Sequence, residues 1–180
     1  MAFIFSRSGL LILLSCIAFA LSIMFAWFYL AWVCLAPLFI TVYPHRSVKA
    51  FRSGALFGLG FGAVLLYWMP SLIADFTGTA LPGIVIYGAG IVIAMLYYGL
   101  LTWATAWFPK DNRPVAMNAL WVASVWTLGE WLLSTALPGM PWFGLFRISN
   151  AMLDNLYAIQ AAALGGTYLL GFFAILVNYF

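Results

Sequence analysis

From Gly9 to Tyr43 the chain carries no charged residue. As one α-helix, at about 1.5 Å per residue, this stretch would run to roughly 50 Å, against a hydrocarbon core of about 30 Å. One span is therefore too long, and two short spans fit. Parity agrees: with a hairpin near Ser22 to Trp27, Arg7 and the cluster Arg46, Lys49 and Arg52 fall on the same side of a membrane, as the positive-inside rule requires. Pro37 then lies in the second span and needs neighbours to satisfy the carbonyl that it frees. The run from Leu10 behind Arg7, with Ala18-Phe19-Ala20, also has the layout of a cleaved signal peptide. Apolar sequence continues past Ala20 with no polar start, so a retained first span is the preferred reading.

The rest of the chain extends the pattern. Hydrophobic residues make up 67% and charged residues 6%, against roughly 45–50% and 25% in soluble domains. The fold class expected is an all-α integral membrane protein, a polytopic bundle of about six transmembrane helices with no soluble domain. The spans fall at approximately 9–25, 27–43, 54–74, 84–108, 115–133 and 158–177. DFTGTALPG, residues 75–83, is read as a short outer loop, and Gly54, Gly58 and Gly62 as a helix-packing seam. PKDNRP, residues 109–114, returns Lys110 and Arg113 to the side of Arg7. Only Arg147 falls on the opposite side, so both termini are expected in the cytoplasm. The net charge of +3 is thus an orientation signal, and nucleic acid is not implied. Trp27, Tyr43, Tyr67 and Trp107 read as interfacial anchors.

Between the fifth and sixth spans the sequence breaks. STALPGMPWFGLF, residues 134–146, carries Pro138, Gly139 and Pro141, so the chain should leave the helix before Pro138 and run irregularly on the outer face. Irregular backbone at membrane depth is tolerated only where protein buries it or where it lines a cavity. Trp142, Phe143 and Phe146 suit the interface. Just before the break sits Glu130, the one carboxylate in an apolar run, and such a residue ordinarily faces a cavity or a partner. Arg147 is a possible ion-pair partner, and a structural pair and a substrate contact are equally open.

Chemistry by these residues alone is poorly supported. Cys16 and Cys34 lie in apolar runs and read as small hydrophobes, and His45 lies beside Arg46 in a basic loop. No catalytic residue, metal site or cofactor is expected, because no nucleophile, base and orienting group can meet across a bilayer.

Three segments carry a family resemblance. WTLGEWLLSTALPGMPW, residues 126–142, resembles the tryptophan-x-x-x-glutamate segment and glycine-phenylalanine-proline-tryptophan motif of the apolipoprotein N-acyltransferases. IQAAALGGTYLLGFFAILVN, residues 159–178, is similar to the family's next span, with its glycine, aromatic and closing asparagine. GLGFGAVLLYWMPSLIADFTGTALPG, residues 58–83, resembles its earlier glycine-rich span, tryptophan, serine and loop proline. Leu133 and Ser134 replace an arginine and glycine frequent in the family, Met140 replaces the motif phenylalanine, and Phe146 to Ser149 replace a glycine-tyrosine-serine-glutamine.

The resemblance implies a multi-pass bacterial inner-membrane protein of lipoprotein biosynthesis. Its partners would be a phospholipid acyl donor and a diacylated lipoprotein acceptor. Glu130, Pro141, Trp142, Arg147 and Trp68 become candidates for a lipid cleft. In that family the transferase chemistry belongs to a nitrilase-like domain with a Glu-Lys-Cys triad, which has no counterpart in these residues. The expectation is therefore the N-terminal membrane module, truncated or split from its catalytic domain and inactive alone. Two other readings are a small transporter or channel with a cavity near Glu130, and an inactive membrane fragment.

Overall fold

The computed structural model describes residues 7–43, 48–107, 113–136 and 141–180, with backbone alone for 141–143. All regular structure among them is helical: α1 (Arg7–Met24), α2 (Ala36–Val42), α3 (Val48–Leu65), α4 (Met69–Thr77), α5 (Ala80–Thr105), α6 (Val115–Ala136) and α7 (Leu156–Tyr179). Of these, α1, α3, α5 and α7 are long and apolar enough to cross a membrane. With 22 residues α6 has the length as well, and its polar residues, Glu130 foremost, lower its apolarity. The chain is thus an all-α polytopic membrane protein. His45, Arg46 and Lys110 lie outside the described residues.

The second half of the charge-free stretch is not one helix. After α1 the chain turns at Ala26 (φ 49°), forms a 3-10 turn at Leu30–Trp32, and becomes α-helical only at Ala36. Pro37 explains this: it occupies the first turn of α2, where its missing N–H costs nothing, and not the interior of a span. The irregular stretch upstream must then find partners for its backbone. Asn178, near the end of α7, provides them. Its Oδ1 accepts from the N–H groups of Leu35 (2.7 Å) and Ala36 (3.1 Å), and its Nδ2 donates to the carbonyls of Ala31 (2.7 Å) and Ala174 (2.8 Å). Ser15 on α1 closes the other side, donating to Cys34 O and accepting from Leu38 N–H. The asparagine that closes the 159–178 motif is therefore a staple between α7 and the broken second segment.

The glycine seam holds α3 against α5. A Cβ on Gly54 would collide with Tyr98 O, and one on Gly58 with Ala94 O, so the two backbones approach as only glycine permits. Thr102 Oγ1 donates to Ala50 O across the same seam (2.9 Å). The short loop expected over residues 75–83 is narrower than that, only Gly78 and Thr79 lying between two helices. Asp75 to Thr77 end α4 and Ala80 begins α5, with Gly78 in the left-handed conformation (φ 72°) making the turn between them. Pro82 falls in the first turn of α5, where a helix accepts it.

At the centre of the bundle Phe19, Phe57 and Phe61 stack, and Tyr98 meets all three edge-on. Trp126 of α6 and Phe146, from the segment beyond it, complete the cluster.

The re-entrant turn and its carboxylate

α6 is described as far as Ala136, and the expected break at Pro138 lies, with Leu137, Gly139 and Met140, outside the described residues. The chain then forms two consecutive 3-10 helices, Pro141–Phe146 and Ile148–Met152. These do not rest at the edge of the bundle. Phe146, Ile148, Ser149, Ala151 and Met152 are all buried, and the Phe146 ring packs on Phe61 and Tyr97. The expectation that Phe146 sits at the interface is thereby corrected: its burial in the aromatic core outweighs the interfacial preference suggested by its neighbours in sequence.

A turn inserted this deeply must satisfy its backbone within the protein. Tyr98 Oη donates to Phe146 O (2.9 Å), and Asn150 Nδ2 donates to Gly144 O (2.6 Å). Glu130 supplies the third support: its Oε1 accepts from the N–H of Ile148 (3.2 Å), the first residue of the second 3-10 helix. Such N–H groups have no partner inside their own helix, so an acceptor there is needed. Glu130 is only 2% exposed, and its carboxylate thus anchors the re-entrant turn.

Glu130 and Arg147 flank the same turn without a salt-bridge contact, and the charge of Arg147 still acts on the carboxyl. The guanidinium lies 4.8 Å over the ring of Tyr168 on α7. The hydroxyl of Tyr168 shares a 2.7 Å hydrogen bond with Ser134, one turn beyond Glu130 on α6. The Glu130 carboxyl also meets the indole of Trp126 one turn earlier on α6, whereas Tyr97 Oη and Arg147 Nε are buried without a hydrogen-bond partner. Glu130 Oε2 is aimed at Gly171 of α7, where an added Cβ would lie 3.2 Å from it. Unsatisfied polar atoms therefore lie beside α6 and the turn, where native interiors ordinarily leave few.

The other candidates divide. The backbone of Pro141 and Trp142 belongs to the first 3-10 helix, while their side chains lie outside the described residues. Trp68 precedes α4, half-buried against the core, and its carbonyl accepts from Ser71 Oγ. No described hydrogen bond, ring contact or shared cavity joins it to Glu130. Cys16 and Cys34 are buried, each with its thiol directed at a carbonyl one turn earlier. Sequence reasoning missed Tyr97, Tyr98 and Tyr168. Paired tyrosines in the middle of an apolar helix were the available signal, since buried hydroxyls need partners.

Fold and site together make this a polytopic helical membrane protein whose irregular turn is drawn into the bundle and tied to a buried carboxyl group. The family follows from comparison with known proteins. Residues 8–180 match the apolipoprotein N-acyltransferase N-terminal domain, and the chain belongs to that family. It is 26% identical over 160 residues to the apolipoprotein N-acyltransferase of Gloeobacter violaceus, covering 84% of this chain and 29% of that protein. With the enzyme of Geobacter metallireducens it shares 30% over 152 residues, 83% of this chain and 28% of the relative. A shorter match, 34% over 88 residues, joins it to the Shewanella oneidensis apolipoprotein N-acyltransferase, over 48% of this chain and 17% of the relative. The chain spans under a third of the length of these curated relatives.

Proposed function

We propose that these residues form the substrate-holding membrane module of an apolipoprotein N-acyltransferase. The module sits in the bacterial inner membrane with both termini in the cytoplasm and the re-entrant turn opening towards the outer face. In this reading six membrane-crossing segments present phospholipid and diacylated lipoprotein to a nitrilase-like catalytic domain, joined in one chain or supplied separately. The observation that carries it is the anchoring of the turn by Glu130 within the segment that matches the family. A turn fixed from inside the bundle offers a rigid floor for a substrate that arrives from lipid, and rigid placement of reactants is a large part of catalytic power.

The module's own residues supply position and not the transfer step. Amide formation on an amine requires an activated acyl group, and an acyl-enzyme route requires an accessible nucleophile with a base. Neither buried cysteine among the described residues has such a partner.

A chimaera tests the proposal: residues 8–180 replace the matching segment of the Gloeobacter relative. The chimaera is expressed in cells depleted of their own enzyme, and N-acylation of a lipoprotein is read by mass spectrometry of its N-terminal peptide. We expect acylation by the chimaera and none by the 180-residue chain alone. Acylation by the chain alone, or a folded chimaera that acylates nothing, overturns the proposal.

A further inference from the structure

α7 is broken in its middle. Gly165 (φ −156°, ψ 19°) and Gly166 (φ 72°, ψ −175°) leave helical geometry, and the second of these conformations is open essentially to glycine alone. The parts of α7 on either side of this pair are held very differently.

The part after the break is fixed. Tyr168 Oη shares its hydrogen bond with Ser134 while Arg147 covers the ring. Leu170, Gly171, Ala174 and Ile175 are buried, and Asn178 ties the far end to residues 31–36. The part before the break, residues 156–164, is a short helix in its own right. Asn155 caps it, Oδ1 accepting from the N–H groups of Tyr157 (3.0 Å) and Ala158 (3.1 Å). Of residues 156–166 only Ala158 and Ala162, one turn apart on one face, are even partly buried, and these two pack on the core. Tyr157 and Leu164 are 82% and 86% exposed. Two methyl groups bury little apolar area, and segments with few buried contacts are those that open locally.

The chain is fixed again on the other side of this helix. Met152 is buried, and its carbonyl accepts from the N–H of Asn155 (3.0 Å). Residues 153–155 are the slack between the two, and three residues reach about 10 Å when extended.

We propose that residues 156–164 form a hinged flap, which undocks at Ala158 and Ala162 and swings as one helix about Gly165 and Gly166. The re-entrant turn and the remainder of α7 stay in place, and the slack holds the swing to no more than about 10 Å. Hinges are a few positions at the ends of elements that absorb a backbone change, and the glycine pair lies at the border between loosely and firmly held helix. A wall that moves beside a turn that does not is a gate. Its use by substrates rests on the proposed function; the hinge itself rests on backbone geometry and burial.

The test is double electron–electron resonance on the 180-residue chain in lipid nanodiscs, with Cys16 and Cys34 replaced by alanine. One pair of labels joins Tyr157→Cys to Phe76→Cys at the exposed end of α4, and a control pair joins Phe173→Cys on the fixed part to the same site. The flap pair should give two distances, separated by no more than about 10 Å, and the control pair one narrow distance. Ala158→Leu with Ala162→Leu overfills the docking face and should raise the ratio of undocked to docked flap about tenfold, with the control unmoved. Gly166→Ala bars the bent backbone and should remove the docked distance. A single flap distance that neither variant shifts, or flap and control pairs that shift together, overturns the flap. Should Gly166→Ala not fold, the double leucine variant decides alone. In the acyl-transferring chimaera Gly166→Ala should slow N-acylation; an unchanged rate beside a shifted flap distance removes the gate and leaves the hinge.

Discussion

The two flanks of α5 are built on opposite principles. On the α3 side glycines remove side chains until backbones meet, Gly54 beneath Tyr98 and Gly58 beneath Ala94, and the space left, about 470 Å³ between α3 and Met95, lies beside that seam and not within it. On the α6 side, large apolar residues such as Leu100 and Leu132 stay about half exposed, and a groove of about 430 Å³ separates the helices. In lipid, helices gain little from burying apolar surface against each other and associate through close packing and polar contacts. The α3 flank uses both, with the glycine seam and the bond from Thr102 to Ala50. α6 is held instead through its inner face, by Trp126 in the aromatic core and Glu130 on the turn. A flank held from inside can leave its outer face to lipid.

The contrast can be broken most strongly at the seam. Gly58→Leu should cost about 3 kcal/mol by overpacking and remove most of the folded protein from detergent extracts. Gly88→Ala, with nothing within 4 Å of the added carbon, should change thermal stability by no more than about 0.5 kcal/mol. An equal loss in both would mean that the seam is not tightly packed.

Next in size is Asn178→Ala, which strands the N–H groups of Leu35 and Ala36 and should cost about 2 kcal/mol in a denaturation series. On the other flank, Glu130→Ala should cost about 1–2 kcal/mol and speed hydrogen exchange at the Ile148 amide, whereas Glu130→Gln, which keeps an acceptor oxygen, should leave that amide protected. Exchange unchanged in the alanine variant would remove the carboxylate from its anchoring role. Tyr98→Phe is the mildest, about 1 kcal/mol, from the bond to Phe146 O alone. If it matched Asn178→Ala, the turn would be bearing far more of the fold than its bonds suggest.

Much of this was legible in the residues. Gly54, Gly58 and Gly62 recur on one helical face, and a periodicity of that kind survives into any bundle. Glu130 stands out because no other acid lies in an apolar run. Less legible were Phe146, which composition assigns to the interface and packing draws into the core, and residues 75–83, whose glycines and proline suggest a loop although Pro82 fits a helix's first turn. The guanidinium of Arg147 lies over the face of Tyr168 while its charge still acts on Glu130, an arrangement that the residues alone leave open.

Residue chemistry alone marks this chain as a helical membrane protein, sets a proline-bearing break after Glu130 and singles out that carboxylate as exceptional. These are local or additive properties: hydropathy, backbone chemistry and the cost of one charge in hydrocarbon. Packing in three dimensions is what buries residues 146–152, joins Asn178 to a segment from the opposite end of the chain, and leaves two grooves beside α6. Those depend on which backbone groups lack partners after the helices have formed, and on which distant side chains lie within about 3 Å to satisfy them.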